Sequence, residues 1–273
     1  MYKKVIIILI IVLCIALLII SGIDIVVWKI DSDNINKNVA SIQNKILIEE
    51  VEDTSETEII DIDQKEKIPE TNPYWDYIKM SMINVNLTNL RKSNSDTKGW
   101  LQVSGTNINY PFVQGEDNEF YLRHAFDKSY NRAGWVFLDY RNKLEKQEKN
   151  TIIYAHARFD GVMFGSLKNI LKNNWLNDKN NHVVKLSTMY ENTLWQVFSV
   201  YHVPVTSDYL KVNFQDELDY KNFIDLISDR TFHDFNTSVD VNDRILTLST
   251  CYNDNDTDRV VLHAKLIKKD SLL

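Results

Sequence analysis

The sequence predicts a mainly β fold: an eight-stranded barrel with a helix at its N-terminal end and a helix in the loop before the strand that ends at Cys251, preceded by one transmembrane helix. Three observations favour this architecture. A long apolar segment follows the first four residues, and eight short strand-like runs occupy the chain after residue 99. The longest gap between those runs carries a helical pattern of its own. Eight strands can close into a barrel, and this helix would then pack on the barrel.

A transmembrane helix is predicted at residues 5–23. Residues 5–20 carry no polar side chain other than the thiol of Cys14, and the first charge after the segment is Asp24. A helix of this length is about sufficient to cross the hydrocarbon core of a bilayer. A cleaved signal peptide is the alternative, but no Ala-x-Ala-like pair of small residues follows the apolar run. The sequence therefore favours an uncleaved anchor.

The orientation of this helix depends on the lysines at its two ends. Lys3 and Lys4 precede it together with the α-amino group, whereas Lys29 and Lys37 follow it. By a small margin, this balance of positive charge favours a cytoplasmic tail at residues 1–4. The chain after the transmembrane helix would then lie on the outer side of the cell membrane.

Residues 24–71 are predicted to form a stalk and an acidic linker. Apolar residues recur every three or four positions from Ile35 to Ile46, as on one face of a helix. Residues 49–66 then contain nine acidic residues and one lysine, which leaves little to bury. The net charge of −7 is concentrated in this stretch. The nearly neutral remainder lacks the basic surface that nucleic-acid binding requires.

The folded domain is predicted to span residues 72–273. Asn72 and Pro73 form a good helix start, because asparagine caps the first turn and proline suits the first helical position. The residues that would share the apolar face of this helix are Trp75, Ile78, Met82 and Val85.

Short strand-like runs separated by turn signals follow this helix. The eight predicted strands are 100–103, 108–113, 134–138, 151–154, 182–187, 193–203, 244–250 and 259–267. Helical patterns interrupt them at residues 164–173 and 216–230. The second pattern lies in the long connection before the strand of Cys251, and connections of this kind often form the wall of a binding site.

Cys251 ends a predicted strand and is followed by a polar loop. The other cysteine, Cys14, lies in the apolar segment, so no disulfide partner is available. A free cysteine in this place is about as often a small buried hydrophobe as a catalytic nucleophile. Its position alone leaves both interpretations open.

His156 is the histidine best placed to assist such a thiol. It stands just after the predicted strand 151–154 and leads into a polar turn that contains glycine, where a rigid scaffold can present reactive groups. The other five histidines fit structural roles better. A structural histidine at position 156 is about equally common, so the catalytic interpretation again needs support from elsewhere.

Arg259 opens the strand after the loop that follows Cys251. If the two strands are antiparallel neighbours, both residues flank one hairpin mouth. A guanidinium there favours the thiolate and can donate to an oxyanion. The alternative is a structural ion pair with one of three nearby carboxylates, those of Asp254, Asp256 and Asp258.

Metal and cofactor chemistry have no support in the sequence. Neither a Cys-x-x-Cys nor a His-x-x-x-His pair is present, and the seven glycines form no phosphate-binding loop. We therefore predict no metal site and no cofactor.

An ordered set of motifs resembles the sortase family, most closely class B. Thr-Leu-Ser-Thr-Cys stands at 247–251 with Arg259 eight residues later, and Ile-Tyr-Ala-His at 153–156 is followed by Gly-Val-Met-Phe-Gly-Ser-Leu at 161–167. Further matching motifs lie at 99–101, 105–111, 113–115 and 137–141. The resemblance spans roughly residues 73–268. Ala155 stands where glycine is common in the family.

The resemblance implies a membrane-anchored cysteine transpeptidase of Gram-positive surfaces. Cys251 would attack the carbonyl of the threonine in a short Pro- and Thr-containing sorting signal of a surface protein, giving a thioester acyl-enzyme. His156 would protonate the departing amine and later accept a proton from the incoming one. Arg259 would hold the substrate and stabilise the oxyanion. The acceptor would be an amine of peptidoglycan or of its precursor.

The substrate groove is expected between the helix-bearing connection and the segment after Gly115. The residues expected to contact substrate are Asn118, Leu122, Tyr209, Leu210 and Ser249.

Two other functions stay open. An envelope cysteine peptidase would pass the acyl group to water instead of an amine, and a membrane-anchored binding protein would keep the barrel without catalysis. The joint presence of Cys251, His156 and Arg259 argues against the second alternative.

Overall fold

Eight strands close into a barrel because the strand that ends at Cys251 pairs on both of its sides. The computed structural model describes residues 2–60, 68–251 and 257–272, with the backbone alone at Cys251. Its α-helices are α1 (Tyr2–Gln43), α2 (Tyr74–Tyr77), α3 (Thr88–Ser93), α4 (Asn173–Leu176) and α5 (Glu217–Asp229). Its strands are β1 (Ile48–Val51), β2 (Glu58–Ile59), β3 (Met82–Val85), β4 (Thr97–Val103), β5 (Asn109–Val113), β6 (Phe137–Leu138), β7 (Asn150–Tyr154), β8 (Val183–Thr188), β9 (Glu191–Pro204), β10 (Ile245–Cys251) and β11 (Asp258–Ser271).

The barrel consists of β4 to β11. Neighbouring strands follow the order β10-β7-β6-β5-β4-β8-β9-β11, and the pairing of β11 with β10 closes the circle. β7 and β10 are parallel, whereas β11 is antiparallel to both β9 and β10. Each of the eight predicted strands corresponds to one strand of this barrel, so the predicted mainly β, eight-stranded fold is confirmed.

The strand β10 separates two hydrophobic clusters. Leu246 and Leu248 belong to the main core of the barrel, whereas the hydroxyls of Thr247 and Ser249 hydrogen bond with side chains outside it. The helix α5 covers this second region, and its first turn is capped by the side chain of Asp216, which accepts from the backbone N–H of Asp219. Its buried residues are Tyr220, Phe223, Ile224 and Ile227. The predicted helix in the connection before the cysteine strand is therefore present and packs beside that strand.

Two predicted helices are shorter than the sequence pattern indicates. Asn72 does accept from the backbone N–H of Tyr74 (2.9 Å), but α2 ends at Tyr77 and residues 82–85 form the strand β3. The spacing of the apolar residues is compatible with a helix and with a strand, and pairing with β1 stabilises the strand. The pattern at 164–173 becomes a 3-10 helix, Leu167–Leu171, followed by α4, because Lys172 has an extended backbone between them.

Part of the stretch predicted as an acidic linker adds strands to the fold. β1 pairs with β3, and β2 pairs with the end of β11. The fully buried ammonium of Lys268 donates to Asp53 Oδ1 (2.6 Å) and to the carbonyl of Met80 (2.7 Å). The acidic side chains thus have specific cationic partners on β11, which local composition does not reveal. Residues 61–67 lie outside the described part of the chain.

The helix α1 combines the predicted anchor with the predicted stalk. It runs without a break through 42 residues, and it is the one helix among the described residues that is long and apolar enough to cross a membrane. The apolar side chains of its first half are exposed, whereas Ser32 and Ile35 are buried. Ile35 is part of the main hydrophobic core. The second half of α1 therefore packs on the barrel.

Candidate active site

The ends of three strands bring the predicted catalytic residues to one edge of the barrel. In the antiparallel pair of β10 and β11, Cys251 lies directly opposite Arg259. β7 runs parallel to β10, with Tyr154 opposite Ser249, so the chain leaves both strands at the same edge. The hydroxyl of Thr250 donates to the carbonyl of Ala155 (2.5 Å) and joins the two strand ends. His156 follows Ala155 directly, which places its backbone next to the end of the cysteine strand.

A cavity of about 240 Å³ opens at this edge. The lining residues are Asn118, Leu122, Phe137, Tyr154, Ala155, His156, Tyr209, Leu210, Ser249, Thr250 and Arg259. Every residue that the sequence predicts as a substrate contact belongs to this set, together with His156 and Arg259. The thiol of Cys251 lies outside the described atoms, but its neighbour Thr250 lines the cavity. The catalytic and binding roles themselves stay predictions.

The imidazole of His156 is held by the backbone of the segment opposite it. Its Nε2 atom lies 2.9 Å from the carbonyl oxygen of Leu122. A carbonyl can only accept a hydrogen bond, so Nε2 is the donor and carries a hydrogen. In the neutral ring the basic nitrogen is then Nδ1, the atom through which the ring can accept a proton. Leu122, predicted as a substrate contact, thus also orients His156, and sequence reasoning missed this backbone role.

The loop after His156 is tightly folded. The backbone N–H of Phe164 donates to the carbonyl of His156 (3.1 Å), and Ala157 and Met163 form an isolated bridge. Gly161 has a φ of +78°, which favours glycine, and a Cβ at Gly165 would overlap the carbonyl oxygen of Arg158. These contacts limit the positions that the His156 backbone can adopt.

Asp139 joins the two walls of the cavity. Its carboxylate is fully buried and accepts from the amide of Asn118 (2.9 Å), the hydroxyl of Tyr154 (2.9 Å) and the guanidinium of Arg141 (2.7 and 2.8 Å). Arg141 also donates to the carbonyl of Leu210 (3.0 Å) on the opposite wall. Burial would raise the pKa of Asp139, but these donors outweigh burial and hold the pKa below its ordinary value. Asp139 is therefore a carboxylate that fixes Asn118 and, through Arg141, Leu210.

Sequence reasoning did not assign a role to Asp139, Arg141 or Tyr154. The one signal was the motif at 137–141, which contributed to the family resemblance without indicating a function. The burial of Tyr154, together with the charge of Asp139, raises the pKa of its phenol, so Tyr154 is a neutral donor.

Buried hydroxyls and one imidazole make hydrogen bonds to the cysteine strand at Ser249 and Thr247. Tyr209, which is fully buried, shares a hydrogen bond with Ser249 (2.9 Å). Thr247 donates to the side-chain oxygen of Asn150 (2.7 Å) and lies 2.9 Å from Nδ1 of His263. Since the Thr247 hydrogen is already used, His263 Nδ1 is the donor, and its Nε2 accepts from Tyr201 (2.8 Å). Burial, with a smaller effect of Arg230, lowers the pKa of His263 to about 3. His263 is thus a neutral structural histidine.

Arg259 is half-buried at the rim of the cavity. One of its guanidinium nitrogens donates to the backbone carbonyl of Asp258 (3.2 Å). Two of the three carboxylates considered as structural partners, Asp254 and Asp256, lie outside the described residues. Arg259 lines the cavity, and its role toward bound substrate stays a prediction.

Comparisons with known proteins agree with the barrel and with the ordered motifs. The family model described as the sortase domain matches residues 101–267. Sortase B of Staphylococcus aureus (strain NCTC 8325 / PS 47) is 36% identical over 182 residues, which cover 66% of this chain and 73% of that protein. Sortase B of Listeria monocytogenes serovar 1/2a is 36% identical over 189 residues, covering 67% and 74%.

Solved structures show the same fold. The crystal structure of sortase B from Bacillus anthracis in complex with AAEK1 has a TM-score of 0.68 at 30% identity, covering 88% of this chain and 99% of that one. A Staphylococcus aureus sortase B-substrate complex has a TM-score of 0.67 at 28% identity, again covering 88% and 99%. A sortase B complexed with triglycine has a TM-score of 0.67 at 28% identity, covering 87% and 99%.

Proposed function

Because this chain belongs to the sortase family and is a class B sortase, a cysteine transpeptidase, we propose that it joins surface proteins to an amine of the cell envelope from an anchored position in the cell membrane. The observation that carries this proposal is the convergence of three strand ends on one cavity. Cys251 lies opposite Arg259, and His156 follows the strand beside them.

In the proposed first step, the Cys251 thiolate attacks the carbonyl carbon of a threonine in a C-terminal sorting signal that contains Pro and Thr. The carbonyl oxygen takes the negative charge, and the Arg259 guanidinium donates to it. Collapse of this intermediate breaks the peptide bond, and His156 gives its proton to the departing amine. The surface protein is then held as a thioester on Cys251.

In the second step an incoming amine attacks the thioester. His156, now neutral, accepts the proton that this amine loses, and the thiolate of Cys251 leaves. A new amide bond joins the surface protein to the acceptor, and the enzyme returns to its starting state. We propose peptidoglycan or its precursor as the source of the amine. The triglycine complex of a related sortase B supports a primary-amine acceptor.

The sorting signal is proposed to lie between the wall of Tyr209 and Leu210 and the wall of Asn118 and Leu122. Ser249 lies between these walls on the cysteine strand. The cavity combines apolar side chains with the amide of Asn118, which suits an extended peptide with alternating apolar and polar side chains. The substrate complex of the Staphylococcus aureus sortase B supports substrate binding by a protein of this fold.

The proposed location is the cell membrane, with the short N-terminal tail in the cytoplasm and the catalytic domain outside. The support is the apolar first half of α1, which is exposed in the structure and long enough to span a bilayer. The lysines at its ends favour this orientation by a small margin.

A ligation assay tests the proposed function. The full-length protein in detergent is incubated with a randomised library of sorting-signal peptides, with and without triglycine, and products are identified by mass spectrometry. We expect ligated peptides that share one motif and depend on Cys251, and hydrolysed peptides in smaller amount when the amine is absent. Hydrolysis that added amine does not replace would instead indicate a peptidase.

A further inference from the structure

The barrel touches α1 at the point where the apolar segment ends. Arg132 lies 3.6 Å from the carboxylate of Asp24, the first charged residue after that segment, and 3.5 Å from the carboxylate of Asp31. Asn131 donates to the backbone carbonyl of Asp31 (3.2 Å). Residues 131–132 therefore lie beside the first turns of α1 that follow the proposed membrane span.

The loop that follows His156 contacts the same part of α1. Ser32 donates to Asp160 Oδ2 (2.6 Å), and Asp160 also accepts from the buried guanidinium of Arg158 (2.7 Å). Arg158 stacks over the indole ring of Trp28 at 5.8 Å. Since Asp24, Trp28 and Ser32 are each four residues apart, they share one face of the helix. Contacts with this face fix the position of the His156 loop along the axis of α1.

Two large aromatic side chains stand exposed around this helix exit. Phe159, between the two residues of the Arg158–Asp160 ion pair, is 73% exposed, and Tyr130, two residues before Arg132, is 63% exposed. Trp28 on α1 is itself 43% exposed. Exposed aromatic rings cost free energy in water, whereas the boundary between water and lipid favours them, especially tyrosine and tryptophan.

The helix geometry places Trp28 at the depth of the lipid headgroups. If the span ends at Asp24, a rise of about 1.5 Å per residue sets Trp28 about 6 Å and Ser32 about 12 Å beyond the hydrocarbon. The headgroup layer on each side of a bilayer is roughly 5–8 Å thick. The loops of Arg132 and Phe159 contact α1 between Asp24 and Ser32, that is, from the edge of the hydrocarbon to just beyond this layer.

We propose that this surface, formed by Trp28, Tyr130, Arg132 and Phe159, is a second membrane contact of the catalytic domain and rests in the phospholipid headgroup layer. The proposal rests on the proposed anchoring of α1. Its occupant is the lipid surface because α1 leads continuously from the bilayer to these residues. His156 is only three positions before Phe159, so the catalytic edge of the barrel lies next to the membrane.

Depth measurements with a single fluorescent label test this proposal. The full-length protein carries Cys251→Ala in every sample and is reconstituted into phosphatidylcholine and phosphatidylglycerol vesicles. One sample is labelled at the native Cys14. The others add Cys14→Ser and place the label through Phe159→Cys, Tyr130→Cys or Asn89→Cys. Asn89 is an exposed control that lines a cavity with Ile42. Ile42 lies about 27 Å further along α1 than Asp24.

Quenching by nitroxides attached to lipid headgroups or to acyl chains then reports the depth of each label. We expect headgroup nitroxides to quench the labels at positions 159 and 130 several-fold more than the label at 89, and acyl-chain nitroxides to quench the label at 14. Labels at 159 and 130 that are quenched no more than the control, while the label at 14 is quenched, would overturn the membrane contact alone. A label at 14 that acyl-chain nitroxides do not quench would overturn the proposed anchor, and with it the contact that rests on it.

Discussion

Cys251 and Arg259 are direct cross-strand partners in the antiparallel pair of β10 and β11. In such a pair the Cα atoms of opposed residues lie about 4.5–5.5 Å apart. A guanidinium on one strand is therefore within reach of a group bound at the end of the other. Cys251 and Arg259 are eight residues apart in the sequence, and this pairing brings them within contact distance at the rim of one cavity.

Substitution of Arg259 tests its proposed role at the oxyanion. Arg259→Lys keeps the charge but removes the planar pair of donors, so we expect kcat/KM to fall roughly 10- to 100-fold. Arg259→Gln removes the charge as well and should cost about tenfold more. Steady-state ligation kinetics measure both, and circular dichroism checks that the barrel is intact. Near-normal kcat/KM in a folded Arg259→Gln variant would favour a structural role for this arginine.

The hydrogen bond between Tyr209 and Ser249 is expected to hold the wall of the cavity against the cysteine strand. Tyr209→Phe and Ser249→Ala each remove one partner of this hydrogen bond, whereas the double variant removes both. We expect a coupling free energy of about 1 kcal/mol in a double-mutant cycle of unfolding. In kinetics, the single variants should raise KM more than they lower kcat. Additive effects in the cycle would show that this hydrogen bond contributes nothing.

His263 should make the fold sensitive to acid. Its pKa is lowered to about 3 in the folded protein, whereas an unfolded histidine titrates near 6.5, so the unfolded state binds a proton first. The stability from the neutral imidazole is thus present above about pH 6.5 and is lost as the pH falls toward about 3, by up to about 1.4 kcal/mol per pH unit. Denaturant unfolding of wild type and His263→Asn between pH 7 and pH 4 measures this slope.

His263→Asn should lose less stability than wild type on acidification, whatever its stability at pH 7. His202→Gln, which alters an exposed histidine on β9, is the matched control and should keep the wild-type slope. Equal slopes in wild type and His263→Asn would contradict the assignment of a neutral, buried His263.

The ion pair of Asp53 with Lys268 should stabilise the domain although Asp53 lies in the acid-rich stretch. Lys268 is fully buried, and Asp53→Asn leaves its charge with the Met80 carbonyl as its one remaining hydrogen-bond partner among the described residues. Because the Asp53 side chain is 44% exposed, we expect a loss of about 1–2 kcal/mol, less than for a fully buried pair. Urea unfolding measures it, with the exposed neighbour Glu52→Gln as control. Equal free energies of unfolding for Asp53→Asn and Glu52→Gln would show that water replaces the Asp53 carboxylate with no loss of stability.

The strands of the barrel could be predicted because each of them has a local pattern in the sequence. The strands β1 and β2 could not be predicted in this way. Half of their residues are acidic, and they become strands only through partners far away in the chain, β3 and the end of β11. The same reason explains the short α2. Met82 and Val85 fit a helical face by spacing, but a long-range strand pairing overrides that preference.

The candidate site was predictable where residues end strands. His156 and Arg259 are adjacent to strand ends in the sequence, and the parallel pairing of β7 with β10 brings those ends together. Asp139 was not predictable as the residue that joins the cavity walls, because its partners Asn118 and Tyr154 come from separate segments. Its importance depends on burial and on a hydrogen-bond network that only the folded chain forms.

The most direct test of the proposed mechanism is the mass of the acyl-enzyme. The full-length protein is mixed with a donor peptide found in the ligation assay, quenched in acid before amine is added, and measured as the intact protein and after digestion. We predict one added acyl fragment on Cys251 that hydroxylamine releases, that is lost when triglycine is added before the acid quench, and that is absent in Cys251→Ala. Ligation that continues in Cys251→Ala, or an acyl group on another side chain, would contradict the account.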